Sequence, residues 1–369
     1  MLRNLLIPFS WIYYGITSFR NFLYDSKILK SNEYDIPVIS IGNITVGGTG
    51  KTPHTEFVVN LLKDMFKITI LSRGYKRKTK GYVKATQNST VAEIGDEPKQ
   101  MSRKFWGTAD MCVCENRADG IAEILKEGND NQLIILDDAY QHRKVHPRVN
   151  ILLVDYNRPV FEDHLLPWGN LRESAKECAR ANIVIITKCP DDMKPIDRRV
   201  MSKYVDLLPS QSIYFTNFKY QPLRPVFGGE GQRNGEVFPQ PEINNDTEIL
   251  LITGIANTKV LREHVESLYS KHITHLEYKD HYNFGKGDLE DMEEAFAKLP
   301  DNRVVITTEK DAMRLDELGF SEMMRRAMYY LPIEVNFVFD DQDNLKTQLL
   351  KYVAEDKGNY RLHTTVRQF

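Results

Sequence analysis

Most of the first half of the chain repeats one alternation. A short apolar, largely β-branched run is followed by a longer stretch with apolar side chains every three or four positions. The runs are Val38–Ile41, Ile68–Leu71, Met111–Cys114, Leu133–Leu136, Val149–Asp155 and Ile183–Lys188. Such runs, with little polar alternation, predict strands buried on both faces. Between them, Glu56–Met65, Lys99–Phe105 and Ala118–Lys126 have helical character. Strand and helix alternating to about residue 205 predicts an α/β fold with a mostly parallel sheet flanked by helices. Ser212–Tyr220 alternates apolar and polar residues and predicts an antiparallel linker strand. Residues 227–247 are rich in Gly, Pro and polar side chains and predict a boundary loop. A smaller α/β unit follows, with strands at Glu248–Thr253, His272–Tyr278 and Val304–Thr308 and an acidic helix at Leu289–Leu299. The expected organisation is an N-terminal helix (1–24), a large α/β domain (25–205), a short β linker (206–247) and a smaller α/β domain (248–369).

The N-terminus carries a different pattern. Leu2, Leu5, Leu6, Phe9, Ile12, Tyr13, Ile16, Phe19 and Leu23 recur at helical spacing on one strongly aromatic face, bracketed by Arg3 and Arg20. The uncharged run Asn4–Phe19 has 16 residues, short of the roughly 20 needed to span a bilayer. No small-x-small cleavage site follows it, so a signal peptide fits poorly. Two readings remain: a helix lying in a membrane surface, or one docked on the protein's own core.

Composition narrows the class. With 369 residues, 41% of them hydrophobic and 27% charged, the chain is an ordinary globular protein able to bury two cores. A net charge of −2 provides no global field to draw it onto nucleic acid. The four cysteines, Cys112, Cys114, Cys178 and Cys189, form no Cys-x-x-Cys pair, which argues against a zinc site.

The chemistry centres on residues 38–53. Strand Val38–Ile41 runs into Gly47-Gly48-Thr49-Gly50-Lys51-Thr52, and a helical segment follows. That order is a phosphate-binding loop: backbone N–H groups and the positive helix end converge on an anion, and glycine permits the close approach. Lys51 would reach the β/γ-phosphates and the Thr52 hydroxyl would ligate Mg²⁺. Thr45 stands where the usual pattern has its first glycine. Leu133–Leu136 ends in Asp137-Asp138, the acidic strand end that places carboxylates near such a metal. These features predict a P-loop NTPase-type domain. Thr187-Lys188-Cys189-Pro190 resembles a guanine-reading motif, but Pro190 replaces its aspartate, which argues against GTP. The Asp96-Glu97-Pro98 turn lies between two strands, where such sheets place catalytic loops. The basic loop Lys76, Arg77, Lys78 and Lys80 reads as a solvated charge run or as a surface for an anionic substrate or lipid headgroup.

Taken in order, the motifs resemble one family, the tetraacyldisaccharide 4′-kinases (lipid A 4′-kinases). They are residues 42–53, Ser-Arg-Gly-Tyr (72–75), Gly-Asp-Glu-Pro (95–98), Asp-Asp-Ala-Tyr-Gln-His (137–142), Leu-Arg-Glu (171–173), Gly-Ile-Ala-Asn (254–257), Asp-His-Tyr-Asn-Phe (280–284) and Thr-Thr-Glu-Lys-Asp (307–311). The resemblance covers essentially the whole chain. Thr45 follows the family, whereas Ala139 and Tyr140 replace its more usual glycine and phenylalanine. It implies ATP- and Mg²⁺-dependent phosphorylation of the 4′-hydroxyl of a tetraacylated glucosamine disaccharide 1-phosphate at the cytoplasmic face of the bacterial inner membrane. The partners implied are that lipid and the membrane surface, with no nucleic acid and no obligate protein partner.

By the same resemblance, Asp96 is the base, assisted by His281, and closure of the two domains assembles the site. Lys51 and Arg172 stabilise the transferring phosphoryl group. Thr45, Gly47, Gly48, Thr49, Gly50, Lys51 and Thr52 cradle ATP. Thr52, Asp137, Asp138 and Glu173 hold Mg²⁺, and Arg73, Arg117 and His142 face the substrate. The N-terminal helix then reads as interfacial, because a tetraacyl lipid stays in its bilayer. Two other classes stand beside this one: a kinase or ligase of the same fold acting on a soluble small molecule, and a nucleotide-gated membrane adaptor NTPase.

Overall fold

The computed structural model describes residues 2–128, 131–227 and 241–354. The two apolar strand sets form two sheets. In the first half, β1 (Val38–Gly42), β2 (Ile68–Ser72), β3 (Val83–Lys84), β4 (Ala109–Val113), β5 (Leu133–Asp137), β6 (Val149–Asp155), β7 (Ile183–Thr187) and β8 (Ser212–Tyr220) lie in one sheet. The second contains β9 (Arg224–Pro225), β10 (Glu248–Thr253), β11 (Ile273–Glu277), β12 (Arg303–Thr308) and β13 (Met328–Leu331). The last strand, β14 (Ile333–Phe337), returns to the first sheet, whose order is β14-β8-β7-β6-β1-β5-β2-β4-β3. Pairing is parallel from β8 to β4 and antiparallel only at the two edges.

The first domain carries helices α1 (Ile7–Asp25), α2 (Lys51–Leu62), α3 (Val91–Ile94), α4 (Asp96–Lys104), α5 (Arg117–Lys126) and α6 (Pro195–Tyr204). Next come α7 (Lys259–Leu268), α8 (Lys286–Ala297), α9 (Glu309–Leu315) and α10 (Glu322–Arg326) on the second sheet, then α11 (Gln342–Ala354). The core strands are buried along their whole length, as their unbroken apolar runs require. The four cysteines are buried and unbridged.

Three expectations change. Strand β8 is not an antiparallel linker. It extends the large sheet parallel to β7 and pairs antiparallel with β14 on its other side, and its polar residues Thr216 and Asn217 are buried against His54 and Asp191. The second domain does not run to the end of the chain: β14 pairs with β8, and Leu345, Leu349 and Val353 of α11 join the core of the large domain. Helices α2 and α4 begin at Lys51 and Asp96, earlier than their apolar spacing indicates, because the polar residues of both motifs form first turns. Of the boundary loop, residues 228–240 lie outside the described residues.

Helix α1 is docked by its polar side. Ser10 donates to the Leu165 carbonyl at 2.8 Å and Tyr13 to that of Arg172 at 2.9 Å, while Asn21 is buried against Glu173. Phe9, Trp11, Ile12, Ile16 and Phe19 face outward, each more than three-fifths exposed. Tyr13 therefore leaves the apolar face on which its spacing had placed it. No described helix is long and apolar enough to cross a membrane.

Candidate active site

Strand β1 lies between β5 and β6, where the strand order reverses and a parallel sheet opens a crevice at its C-terminal edge. The glycine loop fills that crevice. The Asn43 amide donates to Thr49 at 2.8 Å and to Thr45 at 3.3 Å, and Thr45 bridges through its backbone to Leu171. Thr45 thus shapes the base of the loop with its side chain buried. Gly50 precedes α2 with φ +85°, and a Cβ there would lie 2.4 Å from the Phe218 ring, so both conformation and space demand glycine. His54, on the first turn of α2, donates from Nδ1 to the Gly50 carbonyl at 2.7 Å; burial lowers its pKa to about 4. The loop tip is braced by Lys188, which reaches the Gly48 carbonyl at 2.5 Å and Asp155 at 2.7 Å. Sequence reading took Lys188 only as a remnant of a guanine motif. Its long reach across the crevice has no local signature.

The two acidic residues at the end of β5 divide their work. Asp137 is buried and accepts hydroxyls from Thr55 and Ser72, both at 3.0 Å; burial, then the charge of Asp138, pushes its carboxyl pKa up. Asp138 leaves the strand with φ +47°, a conformation that non-glycine residues adopt at functional turns. Its Oδ1 lies 3.8 Å from Lys51 and 3.5 Å from Arg172, and it is buried without a hydrogen-bond partner among the described residues. With the Thr52 hydroxyl on α2, that oxygen suits a hard cation, whereas each oxygen of Asp137 already accepts one hydroxyl. Among the described residues no group of three or more acidic, His or Cys side chains is arranged to hold a metal ion by itself. That is compatible with Mg²⁺, which commonly takes one or two carboxylates and fills its shell with water and phosphate.

Two of the expected residues serve the scaffold instead. Glu173 accepts Arg20 at 2.5 Å and Asn21 at 3.4 Å on Oε1, and Arg180 at 2.6 Å and Gln141 at 3.4 Å on Oε2. Both oxygens are occupied, so its assignment to the metal is corrected. Arg117 is fully buried beneath the acidic turn, donating to the carbonyls of Cys114 and Asp137, each at 2.8 Å. A guanidinium enclosed in that way braces the turn and does not reach a substrate. Arg73 is exposed at the end of β2, and His142 is half-buried, its pKa lowered to about 4 by burial and then by the charges of Arg117 and Arg73.

Across the crevice, Asp96 opens α4 and meets the second domain. Its Oδ1 accepts the backbone N–H of Glu97 at 2.9 Å, and His281 Nδ1 lies 3.1 Å from Oδ2. Arg314 of α9 also bonds to Oδ2, and Lys310 of α9 lies 2.9 Å from His281 Nε2. Burial alone would raise the Asp96 pKa. The His281 hydrogen bond and the charges of Arg314 and Lys310 outweigh burial and hold the carboxyl well below the usual range. Packing of α4 against α9 assembles this pair, and the Asp96–His281 contact is already made in this structure. Arg314 was missed in the sequence. The available signal was its four-residue spacing from Lys310, which puts both on one helix face.

A glycine loop between a parallel strand and a helix, facing an acidic strand end, places the chain among P-loop phosphotransferases. The model of the tetraacyldisaccharide-1-P 4′-kinase family matches residues 2–354, and the chain belongs to that family. It is 46% identical over 362 residues to the tetraacyldisaccharide 4′-kinase of Phocaeicola vulgatus, covering 97% of each chain. It is 43% identical over 364 residues to that of Bacteroides thetaiotaomicron, covering 97% of this chain and 95% of the relative. Among solved structures, LpxK from Aquifex aeolicus in complex with ATP superposes with a TM-score of 0.75 at 28% identity, covering 96% of this chain and 100% of that one. The chain is therefore an ATP-dependent kinase of lipid A biosynthesis, acting on a tetraacyldisaccharide at its 4′ position. The small-molecule and adaptor alternatives fall with that assignment.

Proposed function

We propose that this kinase binds MgATP at the glycine loop, takes the acceptor proton on Asp96, and works on lipid that remains in the membrane. The observation that carries the nucleotide half is Asp138 Oδ1, an open buried carboxylate oxygen between Lys51 and Arg172. The Aquifex relative, solved with ATP, supports ATP as the donor. The Thr52 hydroxyl and Asp138 would hold Mg²⁺, which when bound neutralises phosphate charge. Backbone groups of residues 47–50 cradle the phosphates. Lys51 and Arg172 supply positive charge where it develops on the transferring phosphoryl group.

Asp96 is oriented by His281 and receives the 4′-hydroxyl proton as the new O–P bond forms and the bond to the departing ADP breaks. A carboxylate with a low pKa is a weak base, so this transfer comes late, as a loose phosphoryl transition state allows. The enzyme would reside on the cytoplasmic face of the bacterial inner membrane; the exposed aromatic face of α1 supports contact with a membrane surface, with the helix in the headgroup layer and its polar side on the protein.

The direct test presents γ-labelled ATP and tetraacyldisaccharide 1-phosphate in phospholipid vesicles and separates the lipids by thin-layer chromatography. Label moves to the lipid, and chelation of Mg²⁺ stops the transfer. Equal transfer in the presence of excess chelator removes the metal from the reading.

A further inference from the structure

Helix α9 places two cations one turn apart on the Asp96–His281 pair, and they are bonded to different atoms. An ammonium has only donors, so Lys310 at 2.9 Å makes His281 Nε2 an acceptor. The ring proton then sits on Nδ1 and points to Asp96 Oδ2 at 3.1 Å. Arg314 donates to that same oxygen. Its 3.2 Å approach to Nδ1 is a contact between two donors that share one acceptor. Among the described residues, Oδ1 receives only the backbone N–H of Glu97 and keeps a lone pair.

We infer that Lys310 and Arg314 are positioning residues that fix the His281 tautomer and occupy Asp96 Oδ2, leaving Oδ1 as the oxygen that takes the acceptor proton. The inference rests on the reading of Asp96 as the base.

The surroundings hold this arrangement in place. Arg314 is nearly buried, pairs through Nη1 with Asp311 at 3.3 Å, and approaches the Tyr282 carbonyl at 3.4 Å. Asp311 is itself fixed by the Gly254 N–H at 2.8 Å and the Thr308 hydroxyl at 2.7 Å. Lys310 also lies 3.5 Å from Asp280 and 3.7 Å from Glu97. The charged and titratable groups facing the pair are Asp280 beside His281, Lys310, Asp311 and Arg314 on α9, Glu97 on α4, Lys76 at 3.4 Å from the His281 carbonyl, and Tyr75, whose ring centroid lies 5.3 Å from that of His281. His281 has φ +56°, a conformation that costs free energy and here delivers its ring between the two cations.

The test uses the full chain, labelled with ¹⁵N-histidine in detergent micelles, together with pH profiles of kcat. Wild-type His281 is expected to show the Nδ1–H tautomer. Lys310→Met should move a measurable share to Nε2–H and lower kcat about 10-fold or more, with KM for ATP within about twofold. Lys310→Arg should restore the tautomer. Arg314→Met should shift the acidic limb of the kcat profile upward by about one pH unit or more, and Arg314→Lys should reverse most of that shift. An Nε2–H tautomer in the wild type, or variants that move neither tautomer nor acidic limb, would overturn the inference. Asp96→Asn separates the two claims: retained activity removes Asp96 as base, while the His281 spectrum still reports on Lys310.

Discussion

Oε1 of Glu173 accepts the guanidinium of Arg20 at 2.5 Å, which ties the outward-facing N-terminal helix to the residue beside Arg172. The same carboxylate holds Arg180 on its other oxygen, so it joins three segments of the large domain and has no oxygen left for a metal. Arg20 is 40% exposed and its pairing is screened, whereas Arg180 is mostly buried. Breaking a buried pair leaves a stranded charge. Glu173→Ala should therefore lose about 3 kcal/mol in denaturant titration while the Mg²⁺ dependence of kcat stays in place. Unchanged stability with a steeper Mg²⁺ requirement would return this side chain to the metal.

Asp137 and Asp138 should respond differently to the same change. Asp138→Asn should raise the Mg²⁺ concentration needed for half-maximal rate and lower kcat about 100-fold, because it removes charge from the open oxygen. Asp137→Asn should first lower thermal stability, since both Asp137 oxygens accept buried hydroxyls. Melting curves and Mg²⁺ titrations of the two variants make the comparison.

Asp96→Ala should reduce the chemical step by about 10²–10⁴-fold with ATP affinity nearly unchanged. Single-turnover transfer and nucleotide binding measured on one preparation separate the two effects. Near-normal turnover would take Asp96 out of the role of base.

Ile16 and Phe19 lie on the exposed face of α1, 65% and 62% accessible, and contribute little to the fold. Replacing both by serine should leave the melting temperature alone. Each side chain is worth about 2 kcal/mol when moved from water into an apolar layer, so vesicle binding should fall by more than about 100-fold. Vesicle sedimentation reads this directly, and equal sedimentation of the variant would sink the interfacial placement.

Glu309 supplies a pH prediction. It is buried at the start of α9, 3.6 Å from Lys104, and burial, then the charge of Glu56, pushes its carboxyl pKa up to about 7. A folded-state pKa above the unfolded value means that the folded chain binds the proton more tightly. Stability from this group is full below about pH 4.5 and is lost as pH rises through about 7. Glu309→Gln should flatten that fall, which amounts to a few kcal/mol at most. Denaturant midpoints from pH 5 to 8 test it, and a parallel decline in both proteins would refute it.

The sheet was readable because a strand buried on both faces needs an unbroken apolar run, and six such runs stand between helical stretches. The phosphate loop and the acidic strand end were readable for a related reason: their chemistry is local. Gly47 to Thr52 and Asp137-Asp138 act within one turn, so their spacing carries the information. Strand β8 misled because polar side chains of its alternation are buried: Thr216 and Asn217 sit inside the sheet with hydrogen-bond partners from distant segments, which local alternation does not disclose.

What the sequence determined by itself is the α/β class, the phosphate loop, the acidic strand end and, through the ordered motif series, the family. The tertiary structure decided which polar groups are free and which are committed. It closed Glu173 between Arg20 and Arg180, enclosed Arg117, left Asp138 Oδ1 open, and brought Arg314 to Asp96 from 218 positions away. It also turned the N-terminal helix so that its polar side docks and its aromatic side faces out. Local spacing sets which faces an element has. Whether a face or a charge is satisfied depends on partners far along the chain, and those are chosen only when the elements pack.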